Sequence, residues 1–275
     1  MRNFFRRITR RGVLTLLTGL LVALPIGAAA AADAPALSRI SESGTLKVGM
    51  SAGQPPFNFV SREDKTIGMD VDLAGLLAVA MNVKLEIVDM PFGELLPALE
   101  AGKVDLVISG MTATLPRNMR AAFVAPYHIT GKSILARTET LAALGTEELG
   151  QTDLKVAALA GSTSEDFVKR VAPSANLTTT DDYNAAIDLL LANKVDMFVA
   201  DASIIMLSMM RWPDAGLVAA NKPLTIEPIG IAVPANDPLL LNLVQNYMSA
   251  MEASGVLERL NKKWFQDASW LIQLP

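Results

Sequence analysis

The sequence predicts an α/β fold built from two similar lobes joined by two extended crossings. Three observations carry this. The strand-like run Thr45 to Gly53 (TLKVGMSAG) recurs as Asp153 to Gly161 (DLKVAALAG). A second echo pairs Ala101 to Ile108 (AGKVDLVI) with Ala192 to Val199 (ANKVDMFV). Two apolar segments interrupted by Pro and Gly, Phe123 to Gly131 and Glu227 to Val233, read as strands passing from one lobe to the other and back.

Each copy of the second echo follows an amphipathic helix. Phe92, Leu95, Leu96 and Leu99 fall at helical spacing, and Tyr183, Ala186, Ile187, Leu190 and Leu191 repeat that face. Gly102 and Asn193 suit the left-handed position that ends such helices. In chain order, Gly44 to Ser51 is the first strand, and Pro55-Pro56 forces an extended loop. Asp70 to Met81 is a helix with Val71, Ala74, Leu77 and Met81 on one face, followed by a strand over Val83 to Val88. Helix Phe92 to Ala101 and strand Val104 to Ile108 come next. Ser133 to Ala136 opens the second lobe, and Thr138 to Thr152 reads as a surface connection. After the return crossing, Pro238 to Leu260 is one long amphipathic helix, with Trp264-Phe265 to Pro275 as a tail. The lobes so defined are 44–128 with 228–275, and 129–227.

The N-terminal 32 residues read as an export signal. Arg2, Arg6, Arg7, Arg10 and Arg11 form a basic region, and Val13 to Leu24 is an apolar core of about a dozen residues, too short for a membrane span. Ala30-Ala31-Ala32 offers a cleavage site. Thr9 to Leu14 (TRRGVL) resembles a twin-arginine motif, so both export routes stay open. Removing this segment takes five Arg and no acid from a chain of 24 basic and 28 acidic residues. An acidic exported chain is a poor partner for nucleic acid or an anionic membrane. The absence of Cys excludes disulfides and a lipid-modified Cys at the cleavage site. The expected location is therefore the periplasm.

The stretch Asp105 to Arg117 (DLVISGMTATLPR) places small and hydroxylated residues at a strand end, then Pro116 at a helix start with Arg117 in its first turn. Strand ends that meet helix N-termini are where open α/β sheets bind anions. Ser109, Gly110 and Thr112 offer donors, and Arg117 offers a fork that matches a carboxylate. This points to a receptor for a small carboxylate, although a solvated helix-start Arg and ordinary turn residues would give the same pattern.

With these pieces in order, the sequence resembles the bacterial extracellular solute-binding proteins of the polar amino-acid family (family 3), which serve ABC importers. The resemblance rests on Leu46-Lys47-Val48-Gly49 with Pro55-Pro56-Phe57, Ile67 to Leu73 (IGMDVDL), and Leu96-Pro97-Ala98-Leu99. Gly102-Lys103-Val104-Asp105, Gly110-Met111-Thr112 with Arg117, Gly255-Val256-Leu257 and Lys263-Trp264-Phe265 complete it, over residues 44–266. It implies a periplasmic binding protein-like type II fold, two α/β lobes on a two-strand hinge with the ligand between them. It also implies a membrane permease as partner and a monomeric receptor without a cofactor, and no Cys/His cluster or HExxH pattern in the sequence suggests a metal.

The resemblance gives Arg117 to the ligand α-carboxylate, with Thr112 and the Gly110 backbone beside it. Asp201, at the position matching Gly110 in the second lobe, pairs with the α-ammonium or simply caps its helix. Ser162 and Glu165 form a capping box, and Ser162 and Thr163 bring carboxylate donors from that lobe or serve capping alone. Specificity falls to Ser51, Gln54, Phe57, Phe92 and Leu159, with Phe57 read as core ahead of contact and Phe92 as either. Ser51 replaces an acid frequent in cationic binders, which favours a neutral or acidic side chain. His128, in the crossing, reads as structural. A rival of another class is an exported lyase on the same fold, of the cyclohexadienyl dehydratase kind. It needs a general acid in the cleft, for which Glu165 and Asp201 are candidates.

Overall fold

The computed structural model describes residues 35–143, 153–220 and 222–274. The predicted export signal and most of the predicted surface connection lie outside these residues. Among the described residues no helix is long and apolar enough to cross a membrane.

The elements run in the order α1 (Ala36–Ser43), β1 (Thr45–Met50), β2 (Gly53–Gln54), β3 (Asn58–Val60), β4 (Thr66–Ile67), α2 (Met69–Ala80) and β5 (Lys84–Asp89). A 3-10 turn (Phe92–Glu94) leads into α3 (Leu95–Glu100), β6 (Leu106–Val107), α4 (Leu115–Asn118) and β7 (Ala121–Thr130). Then follow β8 (Lys132–Arg137), α5 (Thr138–Ala143), β9 (Lys155–Leu159), α6 (Thr163–Val171), β10 (Asn176–Thr180) and α7 (Tyr183–Leu191). The chain ends with β11 (Met197–Asp201), α8 (Ala202–Arg211), β12 (Leu217–Ala219), β13 (Glu227–Pro234), α9 (Pro238–Ala253), α10 (Val256–Phe265) and a last 3-10 turn (Ser269–Gln273).

The strands form two five-stranded sheets, ordered β5-β1-β6-β13-β7 and β10-β9-β11-β8-β12, and a small three-stranded sheet, β2-β3-β4. The internal echo is also an echo of register. Val48 pairs with Leu106 in the first sheet, and their counterparts Val156 and Met197 pair in the second. The repeated Lys and Asp explain why. Asp105 accepts the Lys47 amide with its carboxylate at 2.9 Å and donates its own amide to the Lys47 carbonyl. Asp196 does both to Lys155, the first at 2.8 Å. Each acid thus locks the parallel register at a strand start. Gly102 and Asn193 both adopt φ near +60° (66° and 56°), as the helix-ending role requires.

The crossings are extended, as the sequence indicates. β7 and β13 pair antiparallel from Glu227–Thr130 to Pro234–Ala121. Gly131 then turns the chain into the second sheet against the Thr225 carbonyl, so closely that a Cβ there would lie 2.1 Å from that oxygen.

The predicted face of α2 does pack inward, with Ala74 and Leu77 fully buried, Val71 and Met81 half-buried against the core, and Asp70, Leu73 and Ala78 buried beside them. Three expectations need correction. Pro55-Pro56 does not sit in an open loop, because the backbone on either side pairs as β2 and β3, with Gln54, Phe57 and Asn58 buried. The long C-terminal helix breaks at Gly255 (φ +67°) into α9 and α10. The tail is no tail: Trp264, Trp270 and Leu274 are buried, with Phe59 packed edge-on against Trp264. Thr138–Ala143 is helical within the predicted connection.

Candidate functional site

Arg117 lies in a helix begun by Thr114, whose hydroxyl accepts the Arg117 amide, with Pro116 in the first turn. Its guanidinium donates to the Thr112 carbonyl (2.9 Å) in its own lobe and to the Gly161 carbonyl (3.1 Å) in the other. It sits 5.5 Å from the Phe92 ring centroid, over its face. Burial pulls the guanidinium below its ordinary pKa, opposed by the carboxylates of Asp166, Glu227 and Asp201, and it stays charged. Thr112 bridges to Ile229 of β13, and its hydroxyl lies 3.4 Å from that of Thr163.

These groups face a cavity of about 500 Å³, within the usual range for small-molecule sites. Among the predicted residues, Phe92, Thr112, Arg117 and Thr163 line it. They are joined by Gly93, Gly161, Arg120, Asp166, Arg170 and Glu227. The walls come from both lobes, and the apolar cluster containing Phe92 and Leu95 also contains Leu159, Tyr183 and Phe198 of the second.

Eight predicted ligand-site residues, Ser51, Gln54, Phe57, Ser109, Gly110, Leu159, Ser162 and Asp201, do not line the cavity. Ser109 is fully buried, accepting the Ser51 amide (3.1 Å) and the Asn58 side-chain amide (3.3 Å). The Gly110 amide points inward to Asp70 (2.9 Å) and the Tyr127 hydroxyl (3.1 Å). Ser51, half-buried, accepts from the Gln54 side-chain amide (2.7 Å). Leu159 is core. Ser162 caps α6, accepting the Ser164 and Glu165 amides and donating to the Leu159 carbonyl. Glu165 reaches the Gly161 amide, one residue before the position a capping box uses, and pairs with Lys169.

Asp201 opens α8 but makes no cap bond with its side chain. Its carboxylate instead takes Lys132 at 2.5 Å, and Glu227 stands 3.9 Å from the same ammonium, all three groups buried. Neither Lys132 nor Glu227 figured in the sequence reading. A lone charge at each end of an otherwise apolar crossing segment was the available signal.

Behind the site, Asp70 accepts from Asn58, Tyr127 and Gly110 at 2.7, 2.7 and 2.9 Å. Desolvation pushes its pKa up to about 6 against those bonds. His128 stacks on Phe265 at 3.8 Å and bonds Asn261, which agrees with a structural role; burial lowers its pKa. Phe57 is core, edge-on to Phe265. Among the described residues no group of three metal-ligating side chains comes together.

The model of the bacterial extracellular solute-binding proteins, family 3, matches residues 46–267. The chain belongs to that family. As a family 3 protein it has the type II periplasmic binding fold, two α/β lobes joined by two strands, and its relatives include amino-acid-binding proteins of ABC transporters. It is 34% identical over 243 residues to the arginine-binding extracellular protein ArtP of Bacillus subtilis, covering 82% of this chain and 88% of ArtP. A crystal structure of a P235GK mutant of ArgBP from T. maritima superposes with a TM-score of 0.79 at 34% identity, over 84% of this chain and all of that one. A relative of different chemistry is the cyclohexadienyl dehydratase of Pseudomonas aeruginosa, 26% identical over 251 residues, covering 89% of this chain and 91% of the dehydratase.

Proposed function

We propose that this family 3 protein is an exported, periplasmic receptor that captures an amino acid between its lobes and delivers it to an ABC permease. One observation carries the reading: Thr112 and Arg117 of one lobe and Gly161 and Thr163 of the other line the same cavity. An amino acid that enters an open cleft meets Arg117 first. Closure then brings Thr163 and the Gly161 turn over it, and these contacts exist only in the closed form. That difference in affinity is what shifts the population towards closure. The lobes are assigned as 44–128 with 228–275, and 129–227, and rotation occurs where β7 passes Gly131 into β8 and where the chain returns at Thr225. The protein acts as a monomer, and the importer's ATPase supplies the energy.

Calorimetric titration against the twenty amino acids and common organic acids tests the reading; binding of none of them contradicts it. The second reading is an exported lyase. The dehydratase relative and a buried cavity acid, Glu227, favour it. Prephenate bound but recovered unchanged excludes it, and prephenate consumed establishes it.

A further inference from the structure

Among the described residues that line the cavity, Arg120 pairs with Glu100, and Asp166 and Arg170 are exposed to solvent; Arg117 and Glu227 are the charged groups drawn away from solvent that no opposite charge meets within hydrogen-bond reach. Arg117 bonds only carbonyl oxygens, and among the described residues no carboxylate lies within ion-pair distance of it. On the other side, Asp201 and Glu227 share a single lysine. Lys132 sits against Asp201 at 2.5 Å but stands 3.9 Å from Glu227 Oε2, beyond hydrogen-bond reach. The other oxygen of Glu227 accepts from the Thr225 hydroxyl at 2.8 Å, which fixes the carboxylate in place. Glu227 lines the cavity and Asp201 does not. Two acids share one lysine, and Arg117, the other cation that feels both carboxylates, stands beyond ion-pair distance of them, so the buried Glu227 carboxylate has no cation in contact with it.

We propose that Glu227 is the acid that receives the cationic group of the ligand, and that Lys132 is a built-in counter-ion which withdraws Asp201 from that role. The inference rests on the receptor reading and deepens it. The site then selects a molecule that carries a carboxylate for Arg117 and a nearby ammonium for Glu227, and it disfavours the 2-hydroxy acid of the same side chain, which would leave Glu227 buried with no cation in contact. Because Glu227 stands at the start of β13, a bound ammonium also ties the ligand to the crossing strands themselves.

The test is calorimetry on the purified protein with the tightest of the twenty L-amino acids and its matched 2-hydroxy acid, before and after Glu227→Gln. Loss of one charge-assisted hydrogen bond predicts amino-acid binding weakened roughly ten- to hundredfold, with the hydroxy acid unaffected or bound better. Equal weakening of both, or no change in either, overturns the assignment. If Glu227→Gln does not fold, Glu227→Asp keeps the charge beside Lys132 and retracts the carboxylate by one methylene. It must then weaken the amino acid selectively, and an unchanged preference overturns the proposal. A wild-type protein that binds no amino acid fails the receptor reading itself, and the inference falls with it.

Discussion

Arg117 gives one branch of its guanidinium to a carbonyl in each lobe. A ligand carboxylate therefore meets an arginine already aimed, and the fork supplies about two charge-assisted bonds at once. Arg117→Ala is expected to cost roughly 3 kcal/mol or more of binding, a hundredfold or greater loss in Kd, with little change in thermal stability. Arg117→Lys should recover little of that, since an ammonium cannot reproduce the fork. Asp70 acts at the same scale from behind. Its folded pKa of about 6 lies above its unfolded value, so the folded state binds the extra proton and its contribution is full below about pH 4 and lost as pH rises through 6. Urea unfolding of Asp70→Asn between pH 4 and 7 should show a flatter dependence than wild type, by on the order of 2–3 kcal/mol across that range. An unchanged slope would mean that Asp70 does not titrate there. A strand end, a Pro and an Arg drew attention to Arg117 and Thr112, but that spacing fits a solvated Arg and ordinary turn residues equally, and the family resemblance separated the two readings. Ser109 and Gly110 were legible as a loop but not in direction. Which way an amide points depends on Asp70 and Tyr127, forty and seventeen residues away.

At the scale of elements, the Gly161 turn packs against the Gly93 turn of the other lobe. Gly161 has φ +69°, and a Cβ there would lie 2.8 Å from the Gly93 Cα. Gly161→Ala should weaken ligand affinity by tenfold or so, through about 1–2 kcal/mol of strain and blocked closure. Binding at wild-type affinity would show that the closed form does not need this contact. The repeated strand–helix–strand pieces could be read because each is local: helical spacing, a left-handed end residue, and an Asp that locks the next strand. The small β2-β3-β4 sheet and the buried C-terminal aromatics could not, because Pro-rich and Trp-rich segments gain their order only by packing on parts of the chain far away. The ion cluster of Lys132, Asp201 and Glu227 went unread for the same reason. Lys132→Met should leave both acids buried without a counter-ion and lower stability by about 3–5 kcal/mol, measured by chemical unfolding.

For the whole molecule, the shared register of two sheets and a pair of antiparallel crossing strands produce a cleft whose two walls carry complementary groups. Ligand at a hundred times its Kd should raise stability by about 2.7 kcal/mol and lower the radius of gyration in solution scattering, whereas Arg117→Ala should show neither effect at that concentration. The central claim is that one amino acid is clasped between the lobes and anchored on Arg117. Calorimetric titration of the wild-type protein and Arg117→Ala, side by side against the twenty amino acids, tests it most directly. The account predicts one-to-one binding of at least one amino acid by the wild type and its loss in the variant. Binding of equal strength by both proteins would contradict it.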